Sequence, residues 1–207
     1  MSAAQHLAAG IEALGLDIDE ATRSRLLAYG ALLMKWNKVY NLSAIRDEAG
    51  MLDLHLLDSL TVLPHVDFLR IADVGTGGGL PGIPLAICRP QMDVALVETV
   101  NKKASFLRQA KGELGLGNLA VHNCRVEQLQ PEQLFPAVIS RAFASLNDFI
   151  TLTAHLLAPE GVWLAMKGVY PDDELAALPP GIVLRSSHRL EVPGVAAERH
   201  LLILTRN

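Results

Sequence analysis

The chain has 207 residues, half of them apolar, 19% charged and only 5% aromatic. That is enough for one domain with a proper core and too apolar for a disordered chain. A net charge of −4 excludes a polybasic arm, so any nucleic-acid contact must come from a local basic face.

Cys88 and Cys124 lie far apart with no Cys-x-x-Cys, which excludes a disulfide scaffold and argues against a cysteine-based zinc site. No metal is expected. The start, Met1-Ser2-Ala3-Ala4-Gln5-His6, lacks the basic region of a secretory signal, and Glu12 interrupts the Ala-rich stretch after it. The longest purely apolar runs are strand-sized, against about 20 residues for a spanning helix. A cytoplasmic, membrane-free protein is the expectation, and nothing in the sequence demands a dimer.

Up to Pro64 the pattern is helical. Residues 3–14 are Ala-rich and predict a short opening helix. Leu26, Tyr29, Leu33 and Trp36 fall on one helical stripe, and Leu52, Leu56, Leu60 and Leu63 on a second. Asp19 and Asp47 are placed to cap these two helices. Trp36 reads as core in preference to a base-stacking platform. Asn37, Lys38 and Asn41 come as the first long helix ends, and would line a cleft if these helices fold over one. His55, Asp58 and Ser59 share a face of the second helix. A polar, partly solvated face explains that spacing without any chemistry.

After Pro64 short apolar runs alternate with helix-length segments. The runs are Leu69–Val74, Val94–Val97, Leu119–Val121, Ala137–Ile139 and Val162–Met166. The helical segments are Pro81–Cys88, Asn101–Leu114 and Leu146–Leu157. This alternation predicts a mostly parallel sheet of βαβ units. Ile182–Leu190 and His200–Thr205, joined through Val192-Pro193-Gly194 with no helix, predict an antiparallel hairpin at the tail. The expected architecture is a helical cap, residues 1–66, packed on a seven-stranded α/β domain, residues 67–207.

Gly75, Gly77, Gly78, Gly79 and Gly82 fall within eight residues, after the first strand and before a helix. Such a loop lets backbone approach a ligand closely and ends on free helix N–H groups. Gly77-x-Gly79-x-x-Gly82, with Glu98 beyond it, spells a dinucleotide fingerprint. The same stretch also reads acid-x-Gly-x-Gly-x-Gly from Asp73. A carboxylate beside a pyrophosphate is repulsive, on the order of 1–4 kcal/mol at roughly 4 Å. Asp73 therefore favours S-adenosylmethionine, whose amino end it can attract, over a nicotinamide dinucleotide. Glu98 can accept from ribose hydroxyls in either case.

Further on, Lys103 opens the next helix on its buried arc, either snorkelling or aimed at a carboxylate or an RNA phosphate. Arg125-Val126-Glu127 is placed to read an adenine edge, or is an ordinary polar loop. Arg141, in Ser140-Arg141-Ala142, sits at the fourth strand's end and suits a bidentate clamp on a carboxylate or phosphate.

At this level the chain resembles the bacterial 16S rRNA guanine-N7 methyltransferase family, known as glucose-inhibited division protein B or small-subunit methyltransferase G. The resemblance rests on Trp36-Asn37-Lys38-Val39-Tyr40-Asn41-Leu42-Ser43-Ala44-Ile45, His55-x-x-Asp58-Ser59-Leu60, the block from Asp73 to Pro84, Val97-Glu98-Thr99 with Lys102-Lys103, Arg125-Val126-Glu127, Ser140-Arg141-Ala142 and Met166-Lys167-Gly168. It covers essentially the whole chain.

It implies a class I S-adenosylmethionine-dependent methyltransferase fold, Rossmann-like with an antiparallel C-terminal hairpin. The implied reaction is methylation of guanine N7 at position 527 in rRNA numbering, releasing S-adenosylhomocysteine. The implied partner is 16S rRNA or the small ribosomal subunit.

Family cofactor contacts carry over to Gly75, Leu80, Val126, Glu127 and Arg141. Asp73, Gly77, Gly79 and Glu98 complete the expected cofactor site. Leu80 stands where the family often has phenylalanine, and Ser43 where threonine is common. N7 carries no proton, so no general base is required. Asn41, His55, Asp58 and Arg141 are the cleft candidates, and Lys38, Lys102, Lys103 and Lys167 the RNA-binding ones. The competing readings are a nicotinamide-dependent oxidoreductase, a non-catalytic RNA-binding protein and a small-molecule methyltransferase.

Overall fold

The computed structural model describes residues 1–141 and 143–207; Ala142, in the Ser140-Arg141-Ala142 segment, lies outside the described residues. Two helices open the chain, α1 (Ala3–Ala13) and α2 (Glu20–Tyr40), each started by a side-chain cap. Ser2 forms a reciprocal capping box with Gln5, and Asp19 accepts from the Thr22 amide at 2.7 Å. Asp47 accepts from Gly50 N–H and starts the next helix. Both aspartate caps are legible in the sequence.

That next helix differs from expectation in its middle. A turn of α-helix, α3 (Glu48–Met51), runs into a π-helical stretch, Leu52–Leu57, and then into α4 (Asp58–Leu60). Wider turns of this kind concentrate at functional sites. From His55 to Leu63 every residue is buried, polar ones included. The solvated-face reading of His55, Asp58 and Ser59 is therefore wrong: a helix buried all round lies between other layers of protein.

The strands are β1 (Arg70–Val74), β2 (Asp93–Val97), β3 (Leu119–His122), β4 (Phe135–Ser140), β5 (Leu157–Lys167), β6 (Ile182–Arg189) and β7 (His200–Arg206). They form one sheet in the order β3-β2-β1-β4-β5-β7-β6, parallel except for β7, which runs antiparallel to both neighbours. The helices α5 (Gly82–Cys88), α6 (Asn101–Glu113), α7 (Leu146–Thr153) and α8 (Asp172–Ala176) connect them. The helix expected over Leu146–Leu157 stops at Thr153, because Leu157 already pairs with Phe135 in the sheet.

Strand alternation divides the core. Ile71, Leu96, Ile139 and Leu164 face the layer of α5 and α6, and the N-terminal helices join that same apolar cluster. Ala72, Val97, Val138 and Trp163 face the layer of α7. The helices before Pro64 thus share their core with one sheet face. No helix among the described residues is long and apolar enough to cross a membrane.

Candidate active site

In-register pairing brings the strand ends together. Val74 aligns with Val97, and Val97 with His122, so the loops after β1, β2 and β3 leave one edge. The chain runs outward from β1 to β3 and then returns beside β1 as β4. The crevice between β1 and β4 is the point where an open α/β sheet accepts ligands. Ser140 closes its floor by donating to the Val74 carbonyl at 2.8 Å.

The glycine loop is braced from three sides. Beneath it, Asp73 is almost fully buried, and its Oδ2 accepts from the Thr76 hydroxyl (2.6 Å) and the Gly82 amide (2.8 Å). A side chain on Gly82 would run into Leu96 and Asp73 Oδ2. From the side, Glu98 takes the Gly77 amide on Oε2 and the Val100 amide on Oε1. From above, the buried Tyr29 of α2 donates to the Gly78 carbonyl at 2.6 Å. Gly75, Gly77 and Gly79 have positive φ values of 69°, 62° and 94°, a region costly for other residues.

Burial pushes the Asp73 carboxyl up to about 6, even though Thr76, Gly82 and Arg141 favour its anion. Its Oδ1 is buried and has no hydrogen-bond partner among the described residues.

Three adjoining cavities cross this edge. The first, about 290 Å³, is walled by Val74, Gly75, Val97, Arg125, Val126 and Phe143, with Glu127 beside them. Val126 and Glu127 head a short 3₁₀ turn, where backbone amides lack partners within the turn. The second, about 190 Å³, shares Gly75 and adds Gly77, Leu80, Lys103, Ser43, His55 and Arg141. The third, about 390 Å³, shares Ser43, His55 and Arg141 and extends past Asp58 and Arg199 to Lys167. A larger hollow, about 580 Å³, opens around Arg70 and Asp93 at the opposite ends of the strands, away from these loops.

The N-terminal helices furnish the outer wall. Asn37, buried, donates to the Ile45 carbonyl and accepts from the Ser43 amide, which fixes the loop after α2. Ser43 Oγ lies 2.7 Å from His55 Nε2, and His55 Nδ1 lies 3.0 Å from the Leu54 carbonyl. A carbonyl only accepts, so Nδ1 carries the proton and Nε2 accepts from Ser43. Burial and the Arg141 charge hold the imidazole down at about 4, so it is neutral. Asp58, buried, receives Arg141 at 3.1 Å and Arg199 at 2.9 Å, and Arg141 also donates to Leu54 O.

Several expectations change. Asp73 and Glu98 stand directly behind the cavity walls and brace the glycine loop, to which Gly79 itself belongs. Arg141 is at the predicted edge, but its partner is the Asp58 carboxylate of the helical region. Asn41 does not face the cleft. It ends α2 in a left-handed turn (φ 51°) and accepts from Arg46. Lys167 lines the third cavity, where both oxygens of Glu174 hold its ammonium at 2.9 Å. Lys38 and Lys102 are exposed outside the cavities, while Lys103 reaches the second one. Arg199 carries no signal in the sequence; it precedes β7, and only folding brings it to Asp58, 141 positions away.

Comparison with known proteins agrees with this geometry. The family described as rRNA small subunit methyltransferase G matches residues 22–202. Ribosomal RNA small subunit methyltransferase G of Azoarcus sp. (strain BH72) is 61% identical over 98% of this chain and 96% of its own. The protein of that name from Neisseria meningitidis serogroup A is 52% identical over the full length of both. Among solved structures, M. jannaschii TYW2 in complex with AdoMet superposes with a TM-score of 0.57 at 14% identity, over 73% of this chain and 76% of that one. At that identity the likeness is one of fold: the class I methyltransferase fold.

Proposed function

Because the chain belongs to the rRNA small subunit methyltransferase G family, we propose that it methylates N7 of a guanine in 16S rRNA, at position 527 in rRNA numbering, using S-adenosylmethionine. The observation that supports the N7 assignment is that the two buried acid–base groups where the second and third cavities meet are already engaged, while His200, which also lines the third, has its Nδ1 on the Gly168 carbonyl. His55 has both ring nitrogens engaged, and Asp58 is held by two arginines. An exocyclic amine or a hydroxyl must shed a proton as it is methylated; guanine N7 has a lone pair and nothing to shed.

The residues fit the cofactor. An unpartnered carboxylate oxygen under the glycine loop suits a cationic amino end and opposes a pyrophosphate, which disfavours the nicotinamide reading. Bound there, S-adenosylmethionine supplies an electrophilic methyl group on a cationic sulfonium.

The chain supplies position. Val126 and Glu127 edge the first cavity and would meet the adenine there, Leu80 walls the second, and Glu98 would accept from ribose through lone pairs its two amides leave free. Ser43, His55 and Arg141 stand where the second cavity meets the third, and would flank the methyl carbon and N7 if the cofactor fills the one and the guanine the other. Alignment with water excluded supplies roughly 7–11 kcal/mol of barrier lowering. The Arg141–Asp58–Arg199 group carries one net positive charge, suited to guanine O6 or the nucleotide's phosphate.

Such an enzyme acts as a single copy in the cytoplasm on a loop that exposes its guanine. Mass spectrometry of 16S rRNA from cells lacking the protein tests the reading. Loss of one N7-methylguanine from the decoding-region loop is expected, and its persistence would refute it.

A further inference from the structure

The end of α2 and the start of α6 expose apolar surface that folding does not use. Val39 is 69% exposed, Tyr40 43% and Val100 39%, among the few large apolar side chains left in water. Tyr40 is not isolated. Its ring lies 5.1 Å from that of Trp36, inclined by 33°, and Trp36 in turn meets the buried Phe106 ring edge-on at 5.6 Å. A buried ring thus supports a half-buried one, which supports an exposed one. The next residue, Asn41, turns the chain inward, so that Leu42 is buried and Ser43 reaches the site. Tyr40 therefore stands on the rim, three residues from a hydroxyl that lines two of the cavities.

The surrounding charge is one-sided. Residues 35–46 contain Lys35, Lys38 and Arg46 and no acidic residue. Residues 100–112 contain Lys102, Lys103, Arg108 and Lys111, again with no Asp or Glu. Lys102 and Lys103 lie one helical turn before Phe106, the ring under Trp36. Lys38, Lys102 and Lys103 form no ion pair among the described residues. In a protein of net charge −4, two adjoining acid-free segments around an exposed tyrosine backed by a half-buried tryptophan fit a polyanion with planar groups. Single-stranded nucleic acid is such a partner, because any base can stack on an aromatic ring while lysines take the phosphates.

We propose that Tyr40, backed by Trp36, is a stacking subsite for an unpaired base flanking the target guanine, with Lys38, Lys102 and Lys103 holding that base's phosphates. The subsite rests on the RNA-methyltransferase reading and adds to it a second point of attachment outside the cavities. It holds the strand in register while the target base occupies the third cavity.

The test uses the full-length protein, S-adenosylmethionine and a 16S rRNA fragment carrying the decoding-region loop. Of the two tryptophans, Trp163 is fully buried, so fluorescence quenching by the fragment reports on Trp36. Quenching is expected for the unaltered protein and for Tyr40→Phe. Tyr40→Ala is expected to raise KM for RNA roughly ten- to a hundredfold, with kcat and S-adenosylmethionine affinity within about twofold. Replacing the flanking nucleotides one at a time by abasic sites should abolish the difference between Tyr40→Ala and the unaltered protein at one position.

An unchanged KM in Tyr40→Ala overturns the subsite, and so does a loss in Tyr40→Phe as large as in Tyr40→Ala. An unchanged KM together with loss of binding to an acidic protein would assign the patch to that partner instead. If the unaltered protein moves no methyl group to the fragment or to assembled small subunits, the underlying function has failed, and that result is separate from either of these.

Discussion

Asp58 and Arg141 are 83 positions apart in the chain and 3.1 Å apart in space, a carboxylate from the N-terminal helices gripping a guanidinium at the tip of β4. Arg199 completes the group from the start of β7. This contact makes the helical region a wall of the site and not a separate appendage.

Removing Asp58 leaves two guanidinium groups facing each other without an anion. Breaking a buried pair from one side costs about 3–5 kcal/mol. Both arginine side chains keep about a quarter of their surface in water, 27% and 25%, so the lower end applies. Urea unfolding of Asp58→Ala should show a loss of about 3 kcal/mol. Arg199→Ala should lose less, because Arg141 still compensates Asp58. Asp58→Ala at full stability would disprove the arrangement.

Tyr29→Phe isolates a single hydrogen bond. The ring still packs beside Phe106, with centroids 6.4 Å apart, while the Gly78 carbonyl loses its donor. Leaving a buried acceptor unpaired costs roughly 1–3 kcal/mol. The carbonyl belongs to the glycine loop, so S-adenosylmethionine affinity should fall severalfold alongside stability. Calorimetry on both proteins decides it: equal affinities would mean that the loop keeps its shape without the tyrosine.

What is readable in the sequence is local. The Asp19 and Asp47 caps, the glycine loop and the alternation of strands each need only neighbours in the chain. Lys167 and Arg141 can be placed at the correct edge, since strand ends can be counted. Their partners, Glu174 and Asp58, depend on which elements pack together, and no period encodes that. The burial of His55 and Asp58 is hidden for a related reason. On one helix they look like a wet face, and only the π-helical stretch and a second layer of protein make them interior. Glu98 reads as a ligand from its strand-end position, yet hydrogen bonding gives it loop amides to hold as well.

His55 and Asp73 should drive stability in opposite directions with pH. The folded His55 sits at about 4, below its ordinary 6.5, so the unfolded chain binds more protons between these values. Its contribution is present above pH 6.5 and lost as pH falls toward 4. The folded Asp73 sits at about 6, above its ordinary 3.8, so the folded chain binds more protons there. Its contribution is present below 3.8 and lost as pH rises through 6. Between pH 4 and 6 the two offset each other. Comparing melting temperatures with the unaltered protein removes the background of other groups. Relative to it, Asp73→Asn should gain stability more steeply from pH 4 to 6, and His55→Gln less steeply. Parallel curves for all three would show that neither group is shifted as the site geometry requires.

The sign of proton release identifies the ligand that the glycine loop was built to hold. Asp73, at about 6 in the free protein, carries a proton in most molecules at pH 5.5. A cationic amino end arriving nearby stabilises the carboxylate and lowers that value, so binding expels a proton. S-adenosylmethionine affinity should therefore rise from pH 5 to 7 and then level off. Calorimetry in two buffers of different ionisation heat should detect release at pH 5.5 and almost none at pH 7. Asp73→Asn should abolish the release. An anionic pyrophosphate would act in reverse, favouring the protonated carboxyl and drawing a proton in. Uptake at pH 5.5 on adding S-adenosylmethionine would mean that its positive end lies away from Asp73, and the electrostatic argument for the pocket would fall with it.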